Sequence, residues 1–456
     1  MKIIIVGLGK VGTTLASELC NEENDVTVID KKEDLVEDIS GQYDLMGVAG
    51  NGASRTIQME AGIDSADMLI AVTGSDEINL LCCLMAKESE KCHSIARVRN
   101  PEYHSEIAFM REKFGISLII NPDMVAALEI ARNLKFPSAI DVDSFVKNRV
   151  DILKFRIKED SVLDGLRIAD LSGKIKGNIL ICAIERGDNL IIPDGNTVLH
   201  EKDQIAIVAG NNDANQFFRQ VGILANQVKS ILIVGGSPLA YYLAKMLLAA
   251  GMRVKIIEKD YKRCETLSEM LPKATIVYGD GTDKELLSEE GMESYESFAA
   301  LTNIDEENIL ISLYAKKTGG QKKIITKVNR IAFDEVIREL DLDTIIHPKD
   351  ITAELIIRYA RSMKNSFGSN VETLHKIIDD KAEALEFIIR GQSRVTNMTL
   401  QELPIRKGIL VACIYRNGKI IIPGGADRMQ DGDSVIIVTQ EKGLNDIEDI
   451  LVRSHA

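Results

Sequence analysis

Residues 3–12 read Ile3-Ile4-Ile5-Val6-Gly7-Leu8-Gly9-Lys10-Val11-Gly12, an apolar run that leads directly into a Gly-x-Gly-x-x-Gly motif. Apolar residues then recur at helical spacing over residues 11–19, so the motif joins a predicted strand to a predicted helix. This context is typical of a dinucleotide-binding turn. The first glycine permits the tight turn, the second lets a pyrophosphate approach the backbone, and the third lets the helix pack against the strand.

An acidic residue stands where such a turn requires one. Asp30 ends the second predicted strand, roughly 20 residues after the glycines, where its carboxylate would accept hydrogen bonds from the hydroxyls of an adenosine ribose. A carboxylate there repels a 2′-phosphate, so NAD(H) is favoured over NADP. Any adenosine ribose satisfies Asp30, so ATP or ADP stays open as the ligand. The sequence has no P-loop Gly-Lys-Ser/Thr motif, and ATP hydrolysis by that route is not expected.

Further polar residues fall at the predicted carboxyl edge of the sheet, where open α/β folds bind their ligands. Thr73 and Gly74 follow the fourth strand and would line the sugar or base of the cofactor, or else cap the next helix. Arg97 and Arg99 end the fifth strand, where a guanidinium would neutralise a phosphate. The alternative for each arginine is a solvated charge at a strand end.

The whole pattern occurs twice in the chain. Residues 231–235, Ile-Leu-Ile-Val-Gly, repeat the first strand and its glycine, and Glu258 ends a copy of the strand that ends in Asp30. The second glycine motif reads Gly235-Gly236-Ser237-Pro238-Leu239-Ala240. Serine replaces the middle glycine, and Pro238 removes a backbone N–H that would face a phosphate. The sequence leaves open whether this second loop binds nucleotide or is a structural copy.

Short apolar runs alternate with longer amphipathic stretches in each half. In the first half the predicted strands are residues 3–6, 26–30, 46–49, 68–73, 94–98 and 118–120. Strands that alternate with helices indicate a parallel sheet covered on both faces. After residue 150 the pattern changes to short alternating strands, and Asn417-Gly418 between two apolar runs is typical of a hairpin turn.

We therefore predict an α/β protein with two Rossmann-like, doubly wound parallel-sheet domains, each followed by a small α+β domain. The predicted Rossmann domains are residues 1–132 and 229–360, and the predicted small domains are residues 150–212 and 385–456. Polar interruptions of the periodicity place linkers near residues 133–150, 212–228 and 361–384.

Composition and charge argue against several classes of function. The net charge of −14 opposes binding to nucleic acid or to an anionic membrane surface. No apolar stretch approaches the roughly 20 residues that cross a bilayer, so no direct membrane insertion is expected. The seven cysteines show no Cys-x-x-Cys spacing, so neither a metal site nor a disulfide framework is expected.

Taken together, these motifs resemble the RCK/KTN regulators of potassium channels and transporters, in a tandem arrangement that covers essentially the whole chain. The resemblance rests on the first glycine motif, on Asp30, and on the segments Gly50-Asn51-Gly52, Ala71-Val72-Thr73, Ile95-Ala96-Arg97 and Ile120-Asn121-Pro122. It implies a nucleotide site at Asp30, the Gly7–Val11 loop, Thr73 and Arg97. Asn51 stands where the family usually has an acidic residue, which the second half keeps as Asp280.

The same resemblance implies a function and a partner. It predicts a cytoplasmic homo-oligomer, a tetramer, held on the cytoplasmic face of the inner membrane by a potassium-transporting subunit of the Trk type. The subunits would form a ring of regulatory domains, and nucleotide binding would change the shape of this ring and so gate transport. The small domains resemble the family's C-terminal domains, which in some members bind other small ligands at a dimer interface.

The main alternative is an NAD-dependent dehydrogenase, which would also carry the glycine motif. Such an enzyme needs a general base and an anion-binding group placed against the nicotinamide. The six histidines are scattered along the sequence, and neither small domain shows a convincing polar constellation. We therefore predict a regulator without catalytic residues. The sequence leaves open the physiological nucleotide, the sign of regulation and the identity of the transporter.

Overall fold

The computed structural model describes most of the chain. It covers residues 1–456 except 23, 90, 136–138, 140, 147–148, 223–227, 330–336, 338–339, 341, 367–370, 379–380, 392, 397 and 453–456. The chain forms two compact units, Met1–Ala131 with Lys229–Ala360 and Arg132–Val228 with Arg361–Ala456. The first unit therefore combines the two Rossmann-like domains, and the second combines the two small domains.

The first Rossmann-like domain contains all six predicted strands, each within two residues of its predicted ends. The strands are β1 Lys2–Val6, β2 Asp25–Asp30, β3 Met46–Ala49, β4 Met68–Ala71, β5 His93–Arg97 and β6 Leu118–Ile120. The helices are α1 Lys10–Asn21, α2 Glu33–Tyr43, α3 Arg55–Glu60, α4 Asp76–Ala86, α5 Ile107–Phe114 and α6 Pro122–Lys135. All neighbouring strands pair in parallel, in the order β3-β2-β1-β4-β5-β6.

Burial explains why the two central strands, β1 and β4, are almost wholly apolar. Ile4 and Ile5 of β1 point to opposite faces of the sheet, and both are at most 2% exposed. Helices cover both faces of such a sheet, which favours apolar side chains on both sides of its central strands. The strand order reverses between β1 and β4, and the glycine motif follows β1 at this point, where open α/β sheets bind ligands.

The first small domain is built on an antiparallel sheet. Its strands are β7 Asp141–Phe145, β8 Val150–Arg156, β9 Ile179–Arg186, β10 Asn189–Ile191 and β11 Gln204–Gly210. They lie in the order β10-β9-β11-β8-β7, and the helices are α7 Leu171–Lys174 and α8 Asn211–Gln220. The linkers predicted at 133–150 and 212–228 are therefore wrong in part, because β7 and α8 occupy them.

The second Rossmann-like domain repeats the topology of the first. Its strands are β12 Ser230–Val234, β13 Arg253–Glu258, β14 Thr275–Tyr278, β15 Ser297–Ala300, β16 Lys323–Lys327 and β17 Thr344–Ile346. Its helices are α9 Pro238–Ala249, α10 Tyr261–Met270, α11 Lys284–Glu289, α12 Asp305–Thr318 and α13 Pro348–Ser366. The order β14-β13-β12-β15-β16-β17 matches the first sheet strand for strand, as the sequence repeat predicts.

The second small domain also repeats the first. Its strands are β18 Val371–Ile377, β19 Ala382–Ile388, β20 Ile409–Arg416, β21 Lys419–Ile421 and β22 Ser434–Thr439, in the order β18-β19-β22-β20-β21. The linker predicted at 361–384 is wrong in part, since it contains β18.

The two small domains share one apolar core within their unit. Phe145 and Ile152 from the first domain lie in one buried cluster with Ile377 and Ala412 from the second. Polar pairs also cross between the domains. The Nδ1 atom of His375 lies 2.8 Å from a carboxylate oxygen of Asp143. The two small domains of the chain therefore bury apolar surface and a polar pair against each other.

The carboxyl edges of the two Rossmann-like sheets meet within their unit. Asn121, which follows β6, donates a hydrogen bond of 3.0 Å to the hydroxyl of Tyr242 in α9. Lys10, at the start of α1, donates from Nζ to the carbonyl of Asn329, just beyond β16, at 3.4 Å. A ligand at the edge of one sheet would therefore lie close to the other domain.

Among the described residues, no helix combines the length and the apolar composition that crossing a bilayer requires.

Candidate functional site

Packing within the protein leaves no room for a side chain at two glycines of the first glycine loop. At the third glycine it leaves open space. Gly7 has φ +101°, and a Cβ there would lie 2.9 Å from the backbone of Thr73. A Cβ on Gly12 would lie 1.8 Å from the carbonyl oxygen of Gly7. A Cβ on Gly9 would meet nothing within 4 Å. The open space beside Gly9 is therefore the place where a ligand can approach the backbone.

The start of α1 offers backbone donors that no side chain among the described residues caps. Gly9 is the N-cap residue, no side chain caps the helix, and its first turn carries no acidic residue. Such an end presents backbone N–H groups and a partial positive charge, both of which favour a phosphate. Leu8 and Val11 have buried side chains, so these residues can reach a ligand only through the backbone. The exposed side chain of Lys10 adds a positive charge beside this helix end.

Asp30 lies against this loop. One carboxylate oxygen accepts a 2.7 Å hydrogen bond from the backbone N–H of Leu8, and the other accepts one of 3.0 Å from the N–H of Lys32. A carboxylate has about four acceptor positions, so capacity remains for ribose hydroxyls. The side-chain oxygen of Asn51 makes a local contact, accepting from the N–H of Ala53 at 3.3 Å.

Thr73 is held in place by a buried asparagine that the sequence prediction did not assign to the site. The side-chain oxygen of Asn79, in α4, accepts from both the N–H and the hydroxyl of Thr73 at 2.8 Å. Its amide nitrogen donates to the carbonyl of Arg97 at 2.8 Å. Asn79 thus ties the ends of β4 and β5 together. Asn308 repeats these contacts in the second half, and polar residues at equivalent helix positions were the available sequence signal.

The helix that begins beside Gly74 is capped by a neighbouring serine. Ser75 accepts a 3.2 Å hydrogen bond from the N–H of Ile78, whereas Ile304, the equivalent N-cap of α12, has no side-chain cap. We expect Ser75→Ala to lower the free energy of unfolding by about 1 kcal/mol. Chemical denaturation followed by circular dichroism measures the effect. Ile304→Ala is the matched control and should lower the free energy of unfolding less, because the Ile304 side chain does not cap its helix. Equal losses in the two variants would contradict the assignment of Ser75 as the cap.

The two arginines have different surroundings. Arg97 turns back to donate from Nη2 to the carbonyl of Thr73, while its buried Nε has no partner among the described residues. Burial, followed by the nearby charge of Arg99, lowers the pKa of Arg97. Arg99 pairs instead with Asp123, at 3.1 Å. Arg97 therefore has an unused donor at the site, whereas Arg99 is largely committed to an ion pair.

The second glycine loop differs from the first in its hydrogen bonds. Gly235 keeps the turn, with φ +98°. Glu258 accepts a 2.5 Å hydrogen bond from the N–H of Gly236, much as Asp30 accepts from Leu8. Ser237 caps α9 by accepting from the N–H of Ala240 at 3.3 Å, and Pro238 is the first residue of that helix. The Leu239 side chain is fully buried. Less of this helix end is free for a phosphate.

A polar cavity of ≈ 470 Å³ lies where the edges of the two Rossmann-like sheets meet. Five cationic side chains line it: Lys10, Arg97, Arg99, Lys327 and Lys349. Three carboxylates also line it: Asp123, Asp305 and Glu306. The cavity therefore has an excess of positive charge in a chain whose net charge is −14. Burial lowers the pKa of Lys327, so an anion in the cavity would stabilise its charged form.

Comparison with known proteins relates each domain to a family. Residues 3–122 and 231–348 match the TrkA-N domain, and residues 152–222 and 385–452 match the TrkA-C domain. The solved structure described as "GsuK channel bound to NAD" has a similar fold, with a TM-score of 0.62 at 17% identity. That match covers 97% of this chain and 77% of the other.

Curated relatives match over almost their whole length. The "Trk system potassium uptake protein TrkA homolog 1" of Methanosarcina mazei is 32% identical over 98% of this chain and 99% of its own. The "Trk system potassium uptake protein TrkA" of Haemophilus influenzae is 32% identical over 98% of each chain. Full-length identity and two TrkA-N/TrkA-C pairs in the same order show that the chain belongs to the TrkA family of Trk system potassium uptake proteins.

Proposed function

We propose that this protein is a nucleotide-binding regulatory subunit that gates a membrane potassium transporter of the Trk type. The observation that carries the proposal is the open space at Gly9 beside the uncapped end of α1. The protein's own packing gives no reason for a glycine there, whereas a pyrophosphate does. The relatives that match this chain are potassium uptake proteins by name, and they supply the link to potassium transport.

The residues of the first loop fit an adenine dinucleotide, and we propose NAD(H) as the ligand, with ATP or ADP as the alternative. Asp30 would hold the ribose, the backbone of the Gly7–Gly12 loop would hold the phosphates, and Lys10 and Arg97 would neutralise them. Thr73, Gly74 and Asn51 would line the remaining sugar and base. The bound nucleotide supplies negative charge and bridging contacts, and no covalent step is proposed.

We propose that the second loop binds nucleotide more weakly than the first loop and recognises phosphate less specifically. Gly235, Gly236, Ser237, Pro238 and Leu239 form the loop, and Glu258 stands in the place of Asp30. The carboxylate and the turn support a ribose site there. The proline and the serine cap argue against a strong pyrophosphate site.

The cavity between the two Rossmann-like domains offers a route from binding to control. Lys10 and Arg97, from the first domain, line it together with Lys327 and Lys349 from the second. A nucleotide can shift the arrangement of the two domains only by its differential affinity for the alternatives. If the nucleotide binds one arrangement about 100-fold more tightly than the other, a difference of roughly 2.7 kcal/mol, the response is graded. A ratio of affinities of about 10⁴ would be needed for a full switch. We expect the graded case.

We propose that the protein works as a homo-oligomer, a tetramer, on the cytoplasmic face of the inner membrane. Attachment through the transporting subunit suits its charge, because a net charge of −14 is repelled by anionic lipid.

Two measurements test the proposed function. Mass spectrometry of the nucleotide released from purified protein, followed by calorimetric titration with NADH, NAD, ATP and ADP, identifies the ligand. Potassium flux into vesicles that contain the transporter should then change on addition of that nucleotide only when this protein is present. Flux that is indifferent to every nucleotide would refute the proposal, and a response to ATP or ADP alone would establish the alternative ligand.

We also expect no turnover of NADH with hydroxy, keto or aldehyde substrates. Among the described residues around the first loop, Thr73 is held by Asn79, and the two oxygens of Asp30 accept from the backbone N–H groups of Leu8 and Lys32, so neither side chain is free to serve as a general base. Loss of absorbance at the NADH band, followed over hours with a substrate panel, is the measurement. Steady, protein-dependent oxidation with any one substrate would favour the dehydrogenase alternative.

A further inference from the structure

The two small domains contact each other around a local twofold axis. Arg149, one residue before β8, donates to the hydroxyl of Tyr415, the second-last residue of β20. Lys381, one residue before β19, donates at 2.6 Å to Glu185, the second-last residue of β9. Because β8 and β9 correspond to β19 and β20, each contact is the other with the domains exchanged. Such reciprocity defines an isologous interface, in which a surface pairs with its own copy.

Asp143 and His375 lie on this axis. Asp143 is the register partner of Ile152, the third residue of β8, and His375 is the register partner of Ala384, the third residue of β19. The two residues therefore occupy equivalent positions, and contact between equivalent positions places both at the axis. The Nδ1 atom of His375 lies 2.8 Å from the Asp143 carboxylate, and the two side chains are 6% and 20% exposed. The His375 ring also packs against the Phe145 ring, with centroids 4.6 Å apart.

Two copies of the first small domain could not make these polar contacts. Their axis would bring two Asp143 carboxylates together, and buried like charges with no proton to share repel each other. A second position acts in the same sense. Glu386, the fifth residue of β19, accepts from the N–H of Val146 across the interface at 3.2 Å. The fifth residue of β8 is Lys154, whose ammonium group has only donors to offer this N–H.

The apolar residues beside the axis differ in size between the two domains. Val150 and Ile152 of β8 lie in one buried cluster with their equivalents Ala382 and Ala384 of β19, and all four are at most 2% exposed. Large side chains of one domain thus share the core with small ones of the other. Two first small domains would crowd large side chains at the axis, and two second small domains would leave empty space. Both arrangements cost stability in a close-packed core.

We propose that Asp143 and His375, together with the sizes of residues 150, 152, 382 and 384, select the partner of each small domain. The surface of the first small domain fits the second small domain of the same chain and rejects a second copy of itself. This inference goes beyond the proposed function and does not depend on nucleotide. In an assembly of several copies, each chain closes its own pair of small domains and leaves the contacts between copies to other surfaces.

The variant His375→Asp tests the polar selection, because it installs within one chain the axis contact of two first small domains. Amide hydrogen exchange of the complete protein, followed by mass spectrometry near neutral pH, should be at least about tenfold faster in β7 and β18 than in the wild type. His375→Asn is the matched control, since it has the same size and can still donate to Asp143. It loses only the packing on Phe145 and should accelerate exchange less. Equal acceleration in the two variants would overturn the polar selection.

Exchanging the two residues tests whether the effect belongs to the pair. The double variant Asp143→His/His375→Asp keeps one carboxylate and one donor at the axis and should return exchange to within about threefold of the wild type. Asp143→His alone should accelerate exchange less than His375→Asp, because one neutral histidine can donate to another. If the double variant exchanges as fast as His375→Asp, the two residues act only within their own domains and the proposal fails.

The packing of the rejected pair can be installed in the same way. Ala382→Val/Ala384→Ile gives the second small domain the large side chains of the first and should also accelerate exchange in β7 and β18. Adding Val150→Ala/Ile152→Ala reverses the sizes while keeping the total volume, and should recover most of the protection. No recovery, in samples whose Rossmann-like peptides exchange as in the wild type, would contradict selection by size.

A zero-length carbodiimide cross-link shows which chain supplies the partner. The reagent joins a carboxylate to an amine in direct contact, as Glu185 and Lys381 are. In a pair of like domains Glu185 would instead face Arg149, and Lys381 would face Tyr415, so neither pair would react. The linked peptide should be recovered from the monomer band of a denaturing gel and should be lost in Glu185→Gln. Recovery from the dimer band alone would show that the small domains pair between copies, and would overturn the proposal.

Discussion

Gly9→Val is expected to bind NADH at least about 100-fold more weakly than the wild type and to make potassium flux insensitive to nucleotide. The valine side chain would occupy the open space through which a pyrophosphate reaches the backbone. Relieving that overlap would need movement of the loop, at a cost of about 3 kcal/mol or more. The variant should still fold, because Gly9 has φ −72° and ψ −177°, an extended conformation that suits a β-branched residue.

The experiment uses the complete protein with its transporter in reconstituted vesicles. Co-sedimentation with the transporter should be as in the wild type, which shows that any loss of response comes from nucleotide binding. Ser237→Val is the matched control, since it places the same side chain at the equivalent position of the second loop. It should leave NADH binding to the first loop intact. A full flux response to NADH in Gly9→Val would show that the sensor lies in the second half or in the small domains.

The Rossmann-like sheets could be predicted from sequence because their signal is local. A buried parallel strand reads as a continuous apolar run, and a glycine motif directly after β1 fixes where the chain turns into α1. The second copy was recognisable at the same spacing, so the two-domain repeat followed. The likeness of topology extends to the order of every strand in the two sheets.

The first strand of each small domain could not be predicted in the same way. Strand β7 contains Asp143, which suggested a polar linker, yet this carboxylate lies 2.8 Å from His375 in the equivalent strand β18. Each of these two polar side chains is paired with one from the other small domain. A pattern read from one half of the chain contains no information about that pairing.

The candidate site was predictable in its backbone but not in its side-chain contacts. The position of Asp30 follows from the strand that it ends, whereas the inward turn of Arg97 depends on the carbonyl of Thr73 from a neighbouring strand. Asn79 is a polar residue on a helix, and its role is visible only once the ends of β4 and β5 lie beside it. The cavity between the two Rossmann-like domains likewise requires knowledge of how the two sheets meet.

Asp30→Ala is expected to weaken NADH binding by about 1.5–3 kcal/mol, the range for hydrogen bonds to a charged group, without unfolding the domain. Asp30 also accepts from the N–H of Leu8, so part of the loss would come from a less ordered glycine loop. Asp30→Asn removes the charge and keeps an amide oxygen that can still accept from Leu8, while its NH2 group can no longer accept from the N–H of Lys32. Its loss should be intermediate.

Calorimetry on samples shown to be folded by circular dichroism measures these affinities. Glu258→Ala is the matched change in the second half and should cost NADH binding less or nothing, since that loop has lost phosphate donors to Pro238 and to the Ser237 cap. An affinity of Asp30→Ala equal to that of the wild type would remove Asp30 from the site. An equal loss in Asp30→Asn and Asp30→Ala would show that the second carboxylate oxygen or the charge is essential, and an unchanged affinity in Asp30→Asn would assign the effect of Asp30 to holding the loop through Leu8.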